Sequence, residues 1–488
     1  MYYMRRRATI FRDYGEFGYI TDNRNYGYRL ADEGENLIGD RIVSQSGKVF
    51  LAALDRLPKS LDRILEEITD VFKGISYEDI KDDAIEYYAI LEQEGFVVSG
   101  SDYLSCLEGD HVFSYTQQIK SDPNDNKKSS EISEPDTQEY LDEHYYKGRV
   151  RLAHIHIEIA GLCNERCVHC YIPHENKTTA MDKYTVLEVL RQCRDMNVLN
   201  VTLSGGEPML HSSFIEILQR CNEYNFSVNI LSNLTILTDE IIREIKNNPL
   251  IGIQTSIYSM NPDIHDGITS VKGSLKSTIA SVQKLIENDI PVQISCPIMK
   301  ANMGSYKDVA EWGKRLGITV NADYVIIGRY DGSMSNLDCR LSLDDIKKYV
   351  SEMIESDSAY LHSLEEEAEK RRMRAGEDYI CSVCHSSMCV AENGDVYPCA
   401  GWQECVLGNV YNEPISSIWD NSLKAKGLRN LKYKDFPKCL DCKDREFCTM
   451  CLVRNANDSV SGDFMSASKY FCDVARVTHE IFDNRMTG

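Results

Sequence analysis

Between residues 150 and 335, short apolar segments rich in β-branched residues alternate with amphipathic stretches. The strand candidates are LAHIHIEIA, NVTLSGG, FSVNILSN, IGIQTSIYS, PVQISCPIM and ITVNADYVIIG. Between them lie helical patterns such as KYTVLEVLRQCRDM and LKSTIASVQKLIEN. This alternation predicts an α/β fold with a parallel sheet curled into a partial (β/α)6 barrel.

The flanks have other rhythms. In residues 1–110, ATIFRDYGEFGYIT and the stretch around NYGYRL read as short strands, and GKVFLAALDRL and SLDRILEEITDVF as helices. DDAIEYYAILEQEGFVVSG predicts a helix ending at Gly95 and then a strand, completing a small α+β unit. Residues 111–149, centred on SYTQQIKSDPNDNKKSSEISEPDTQEYLDEHYYK, lack apolar periodicity and have linker composition. Residues 336–375 (LEEEAEKRRMR) predict a charged helical connection. Residues 376–488 are Cys-rich with little regular periodicity, as expected where metal centres supply folding energy.

Composition narrows the class. At 488 residues, with 42% hydrophobic and 27% charged, the chain is long enough for several domains and is neither disordered nor fibrous. No apolar run approaches the roughly 20 residues of a membrane span, and no apolar stretch follows the basic residues of MYYMRRRATIF. The expectation is a cytoplasmic protein with no membrane partner. A net charge of −22 speaks against nucleic acid, whose recognition needs a basic face.

Cysteine usage changes the picture more. Of the 18 cysteines, one precedes residue 160, three cluster at Cys163, Cys167 and Cys170, and ten follow residue 380. In a reducing compartment such crowding points to metal ligands. Cys106, Cys193, Cys221, Cys296 and Cys339 lie in apolar or helical contexts and read as packing residues.

The loop GLCNERCVHCY follows the strand candidate HIHIEIA and so sits at the carboxyl end of the barrel, where such folds do chemistry. Three thiolates on a four-iron cube leave one iron open for another molecule. On spacing alone, a zinc site completed by His169 or His174, or three unlinked thiols, remain open. The next strand candidate ends in SGGEP, where glycines let the backbone approach a bound polar ligand. Taken alone, that is a turn.

Together the C-x3-C-x2-C loop and GGEP resemble the radical S-adenosylmethionine (SAM) superfamily. The resemblance implies a [4Fe–4S] cluster on Cys163, Cys167 and Cys170, with Gly205, Gly206, Glu207 and Pro208 facing the methionyl amine of SAM. LSN resembles the ribose-contacting segment, pointing to Ser232 and Asn233. QTSIYS resembles the segment whose serine approaches the SAM carboxylate, pointing to Ser256 and, beside it, Gln254. VIIGRYDG, Val325–Gly332, would lie near the adenine.

The C-terminal cysteines Cys381-SV-Cys384-HSSM-Cys389-VAENGDVYP-Cys399, then Cys439-LD-Cys442-KDREF-Cys448-TM-Cys451 and Cys472, read as zinc or iron–sulfur in isolation. Behind such a core they resemble the SPASM extension, which carries two auxiliary [4Fe–4S] clusters, for three clusters in all. The distal one would use Cys439, Cys442, Cys448 and Cys472. The proximal one would use Cys381, Cys399 and Cys451, with Cys384, Cys389 or Cys405 as fourth ligand, Cys384 being preferred; an open iron there would accept a substrate thiolate. Cys451 departs from the family spacing, following Cys448 by two residues where three are usual.

Residues 1–110 resemble the winged-helix element that recognises leader peptides. The resemblance as a whole implies a peptide maturase that forms Cys sulfur-to-carbon thioethers in a ribosomally made precursor, fed by a ferredoxin- or flavodoxin-type electron donor. Carbon–carbon cross-linking or oxidation of a protein side chain are the enzymatic alternatives. The non-enzymatic ones, an electron carrier or a zinc scaffold, are disfavoured by the missing fourth cysteine near Cys170 and by the paired GGEP.

Overall fold

The computed structural model of the chain describes residues 1–22, 39–110, 137–248 and 251–486. The NYGYRL segment and most of the expected linker, 111–136, lie outside the described residues.

The N-terminal unit contains strands β1 (Tyr2–Arg5), β2 (Ile10–Asp13), β3 (Gly18–Thr21), β4 (Asp40–Val43), β5 (Lys59–Ser60) and β6 (Val97–Gly100). They form two antiparallel sheets, in the orders β5-β1-β6 and β2-β3-β4. Three serines start its helices. The hydroxyls of Ser44, Ser60 and Ser76 accept hydrogen bonds from backbone N–H groups of the first turns of Gln45–Ala52, Leu61–Ile68 and Tyr77–Gln93. Phe50, Leu51, Ile64, Tyr88 and Phe96 form its core.

The expected linker is partly structured. Thr137–Leu141 and Asp142–Tyr146 are helical, and Leu141 and Tyr146 pack with Tyr14, Phe17 and Tyr19 and with Leu199 of the barrel. Its anchors are a few aromatic side chains with no repeat, so periodicity did not reveal them. Arg12 completes the docking, donating to the carbonyls of Val198 (3.0 Å) and Asn225 (2.9 Å). Both carbonyls lie just before barrel strands. The N-terminal unit therefore sits at the amino ends of the strands, opposite the loops that carry the motifs.

The barrel strands are β7 (His154–Ala160), β8 (Asn200–Gly205), β9 (Ser227–Leu231), β10 (Ile251–Ser256), β11 (Val292–Pro297) and β12 (Val320–Asp323), parallel and adjacent in sequence order. Side chains alternate, as strand geometry requires. Ile155, Ile157 and Ile159 of β7, and Val201 and Leu203 of β8, join the apolar core under the helices. The intervening His154, His156, Glu158, Thr202 and Ser204 face the barrel interior, which is polar on this side.

The sheet does not stop at six strands. The cysteine-rich unit adds β13 (Ser387–Val390) parallel to β7, followed by antiparallel β14 (Asp395–Tyr397) and β15 (Gly408–Asn409). Helices Leu343–Ser356 and Ser358–Arg372 lie between the barrel and this unit in the chain. The terminal region is more regular than its cysteines suggested, since Lys469–Met486 is an 18-residue helix packed against Leu343–Ser356. A buried ion pair, Arg340 to Asp458 at 2.7 Å, joins barrel edge to terminal unit. Among the described residues no helix is long and apolar enough to cross a membrane.

Candidate active site

Four loops at the carboxyl ends of β7 to β10 carry the motifs. The loop after β7 is pinned on both sides. Leu162 N–H bonds to Thr179 O (2.9 Å), and Arg166 and Val168 N–H bond to Thr269 O (2.9 Å) and Ile268 O (3.0 Å). Cys163, Cys167 and Cys170 are half-buried on this frame. Burial raises the Cys167 thiol well above its ordinary value, and the charges of nearby Glu165, Cys170 and Cys163 add to the rise.

Both histidines of the zinc alternatives have neighbours other than the thiols. His174 Nε2 lies 3.2 Å from the Cys167 carbonyl oxygen, and His169 packs edge-on against Tyr258. Among the described residues, donor atoms gathered tightly enough for a single ion occur at His156, Glu158 and Cys389, and not at this loop. Thiols spread wider than one ion suit a polynuclear cluster.

SGGEP makes a tight backbone cradle. Gly205 has φ +121°, and a Cβ there would lie 2.1 Å from Ala160 O; at Gly206 it would lie 2.3 Å from Leu162 O. Only glycine allows these strands to approach so closely, and the Gly206 and Glu207 N–H groups then bond to Ala160 O (2.6 Å) and Leu162 O (2.7 Å).

Glu207 is fully buried. Its Oε1 accepts from Met209 N–H (3.0 Å) and Ser232 Oγ (2.8 Å), and its Oε2 from Asn233 N–H (2.7 Å). Burial pushes its pKa up to about 7 against the lowering effect of these donors. GGEP and LSN, two motifs 25 residues apart, thus meet through one carboxylate. The Ser232 hydroxyl is occupied inside this network, also accepting from Leu234 N–H (2.9 Å). Asn233 Nδ2 donates to Asn164 Oδ1 (2.8 Å), which ties the network back to the cysteine loop. Ser256 and Gln254 are half-buried at the end of β10. Within Val325–Gly332, Tyr330 N–H bonds to Tyr171 O (3.2 Å), so that segment rests on the cysteine loop.

Sequence reasoning passed over Glu158, Tyr171 and Gln403. Tyr171 Oη donates to Glu158 Oε1 (2.9 Å) and Gln403 Nε2 to Oε2 (3.0 Å). Burial raises the Glu158 pKa to about 7. The alternation of HIHIEIA marks Glu158 as facing inward, which was the available signal; its partner Gln403 is 245 residues away and left none.

The later cysteines fall into two groups. Cys439, Cys442, Cys448 and Cys472 line one cavity of about 540 Å³, together with Arg374, Arg445 and Met450. Cys381, Cys399 and Cys451 lie within electrostatic reach of one another, and Cys384 within reach of Cys405, Cys381 and Cys399. Cys384 is fully buried at φ +59°, a conformation few non-glycine residues adopt. Cys389 groups with Glu158 and His156 and also lies within reach of Cys399, and Cys405 lines a cavity with Trp402 and Lys424.

Comparison with known proteins agrees with this geometry. Residues 157–313 match the Radical SAM superfamily, and 381–443 match SPASM, an iron–sulfur cluster-binding domain. The chain is 24% identical over 336 residues to an AdoMet-dependent heme synthase of Methanosarcina barkeri, covering 64% of this chain and 94% of the relative. It is 24% identical over 320 residues to the antilisterial bacteriocin subtilosin biosynthesis protein AlbA of Bacillus subtilis, covering 63% and 68%. Among solved structures, Streptococcus suis SuiB bound to precursor peptide SuiA aligns with a TM-score of 0.56 at 16% identity, covering 96% of this chain and 99% of that one. The anSMEcpe structure with bound AdoMet aligns with a TM-score of 0.53 at 15% identity, covering 68% and 94%. The two domains bind [4Fe–4S] clusters and SAM, and the protein is a radical SAM enzyme with a C-terminal SPASM domain.

Proposed function

We propose that the protein is a cytoplasmic peptide maturase that modifies a ribosomally made precursor held through its leader by residues 1–110. The observation that carries this reading is the extent of the SuiB likeness. The peptide-bound SuiB structure matches 96% of the chain, N-terminal unit included, while the anSMEcpe structure matches 68%. The relation to AlbA, a bacteriocin biosynthesis protein, supports the same substrate class.

Three [4Fe–4S] clusters are assigned. Cys163, Cys167 and Cys170 hold the first, Cys439, Cys442, Cys448 and Cys472 the distal one, and Cys381, Cys384, Cys399 and Cys451 the proximal one. With SAM, that first cluster would supply radical chemistry able to remove a hydrogen atom from a carbon of the peptide. The chain's own part is positional. Gly205 and Gly206 bring backbone close to SAM, and Glu207 fixes that loop to Ser232 and Asn233. The Asn233 side chain is held by Asn164 and Thr235, and Ser256, half-buried at the end of β10, would be the polar side chain nearest a bound SAM carboxylate. The barrel wall would exclude water from the reacting carbon. A ferredoxin- or flavodoxin-type donor provides the electron.

The bond formed is a Cys sulfur-to-carbon thioether in the first reading and a carbon–carbon cross-link in the second. The second is favoured by Cys384, which supplies a fourth thiol to the proximal group and so leaves no open iron there for a substrate thiolate. The test uses the anaerobic enzyme, reductant, SAM and the peptide encoded by the short reading frame beside the gene. A peptide lighter by two hydrogens supports the assignment, and a peptide of unchanged mass alongside cleaved SAM refutes it.

A further inference from the structure

We propose that the barrel interior contains a separate metal site, in which His156, Glu158 and Cys389 hold one divalent ion of the zinc class. One ligand atom from each of the three lies within 4.8 Å of the others. The cause is the join between the two domains. His156 and Glu158 are two positions apart on β7 and share a face, and β13 runs beside β7 with Cys389 directly opposite His156. None of the three belongs to a cysteine group assigned to a cluster, so the site is additional to the iron–sulfur centres.

The donors are also supported as metal ligands are. Tyr171 and Gln403 each donate to one oxygen of Glu158, which fixes the carboxylate plane. Ser204 Oγ bonds to His156 Nε2, which orients the ring. Glu158 and Cys389 are 1% exposed. Bound as carboxylate and thiolate, they carry two negative charges that a divalent cation cancels, and the imidazole ligates as the neutral base. The buried group is then electroneutral, which removes the desolvation cost of leaving either charge alone. One nitrogen, one oxygen and one sulfur suit Zn²⁺ or Fe²⁺ and do not suit Mg²⁺ or Ca²⁺, which take oxygen. Three protein ligands leave a fourth position open toward the interior. A sulfur or oxygen atom of the molecule bound there could occupy it.

The test needs no peptide and no turnover. The full chain, with its clusters loaded anaerobically, is exposed to zinc, desalted, and analysed for zinc, iron and sulfide. The wild type should retain about one zinc per chain, and zinc K-edge absorption should show one sulfur at about 2.3 Å with nitrogen and oxygen at about 2.0–2.2 Å. Cys389→Ser and His156→Ala should weaken zinc retention by at least about tenfold at unchanged iron and sulfide. If those variants fail to load their clusters, the absorption spectrum of the wild type still decides. No bound zinc, equal zinc in all three proteins, or zinc surrounded by three or four sulfurs overturns the proposal.

Discussion

The backbone N–H of Asn233 donates to Glu207 Oε2 at 2.7 Å, fixing the loop after β9 to the loop after β8 through one buried carboxylate. This contact has a pH signature. The Glu207 pKa is pushed up to about 7 by burial, from an ordinary value of 4.5. Between these values the folded chain keeps a proton that the unfolded chain has lost. The Glu207 contribution therefore favours the fold at low pH and declines as pH climbs from about 4.5 through about 7. The shift corresponds to at most about 3 kcal/mol. Urea denaturation of the metal-free protein at pH 5 and pH 8 should show a loss of stability that is smaller by that amount in Glu207→Gln. Identical pH differences in the two proteins would mean that Glu207 does not titrate as described.

The glycine cradle makes a sharp contrast with an unconstrained glycine. Gly205→Ala puts a methyl 2.1 Å from Ala160 O at φ +121°, so β7 and β8 must separate. Loss of SAM binding and a destabilisation of more than about 3 kcal/mol are expected. Gly267, in helix Pro262–Thr269, has nothing within 4 Å of its added Cβ. Gly267→Ala should stabilise by about 0.5–1 kcal/mol and leave SAM affinity unchanged. Thermal melts with equilibrium dialysis of SAM check both, and an unaffected Gly205→Ala would remove the cradle from the account.

Legibility followed locality. The barrel alternation, the three-cysteine loop and GGEP were readable because each is local, either a period along one segment or a spacing within a dozen residues. Glu158, Tyr171 and Gln403 were not, because their meaning lies in contacts that span up to 245 residues. Strand β13 was hidden for the same reason: SMCV carries no mark saying it will pair with HIHI. The helix Lys469–Met486 carries a local signal, with Val474 and Val477 reaching the core. The helical 137–146 segment had the composition of a linker and is held by Leu141 and a few aromatics without a repeat.

Replacing Cys163, Cys167 and Cys170 together with alanine should remove one cluster and spare the others. The loop's frame of backbone bonds to Thr179, Ile268 and Thr269 uses no thiol, so the fold should survive. Iron should fall by about four atoms per chain, and 5′-deoxyadenosine production under dithionite should disappear. Reductive SAM cleavage persisting in the triple variant would contradict the assignment.

Removing the N-terminal unit should separate precursor binding from SAM cleavage. It docks at the amino ends of the strands, through Arg12 to Val198 and Asn225, away from the motif loops. Because Leu141 and Tyr146 pack into it, the cut belongs after residue 147 and not at 110. The remaining chain should cleave SAM at a rate within about twofold of the intact enzyme, since none of the motif contacts is lost. Its affinity for the precursor peptide should fall by at least about a hundredfold, as when most of an interface is removed. Calorimetry with the synthetic precursor measures this, and equal affinity in both proteins would assign residues 1–110 another task.

The bond made in the peptide is decided by where the substrate sulfur ends up. A thioether consumes one precursor thiol and two hydrogens, one lost as an atom from carbon and one as a proton from sulfur, with an electron passing to an acceptor of the iron–sulfur class. A carbon–carbon link loses the same two hydrogens and leaves every thiol intact, so intact mass alone does not discriminate. Alkylation does. Under the thioether reading, each two-hydrogen loss is matched by one precursor cysteine that no longer reacts with iodoacetamide. Under the carbon–carbon reading all precursor cysteines still alkylate. Cys384 sharpens the comparison, because a fourth proximal thiol would block a substrate thiolate from that iron. If sulfur must nonetheless bind there, Cys384→Ala should open the position and increase thioether yield. If Cys384 completes the cluster, the variant should instead lose iron from the proximal group and product together, and the second outcome is the one expected from its full burial and its reach to Cys381 and Cys399.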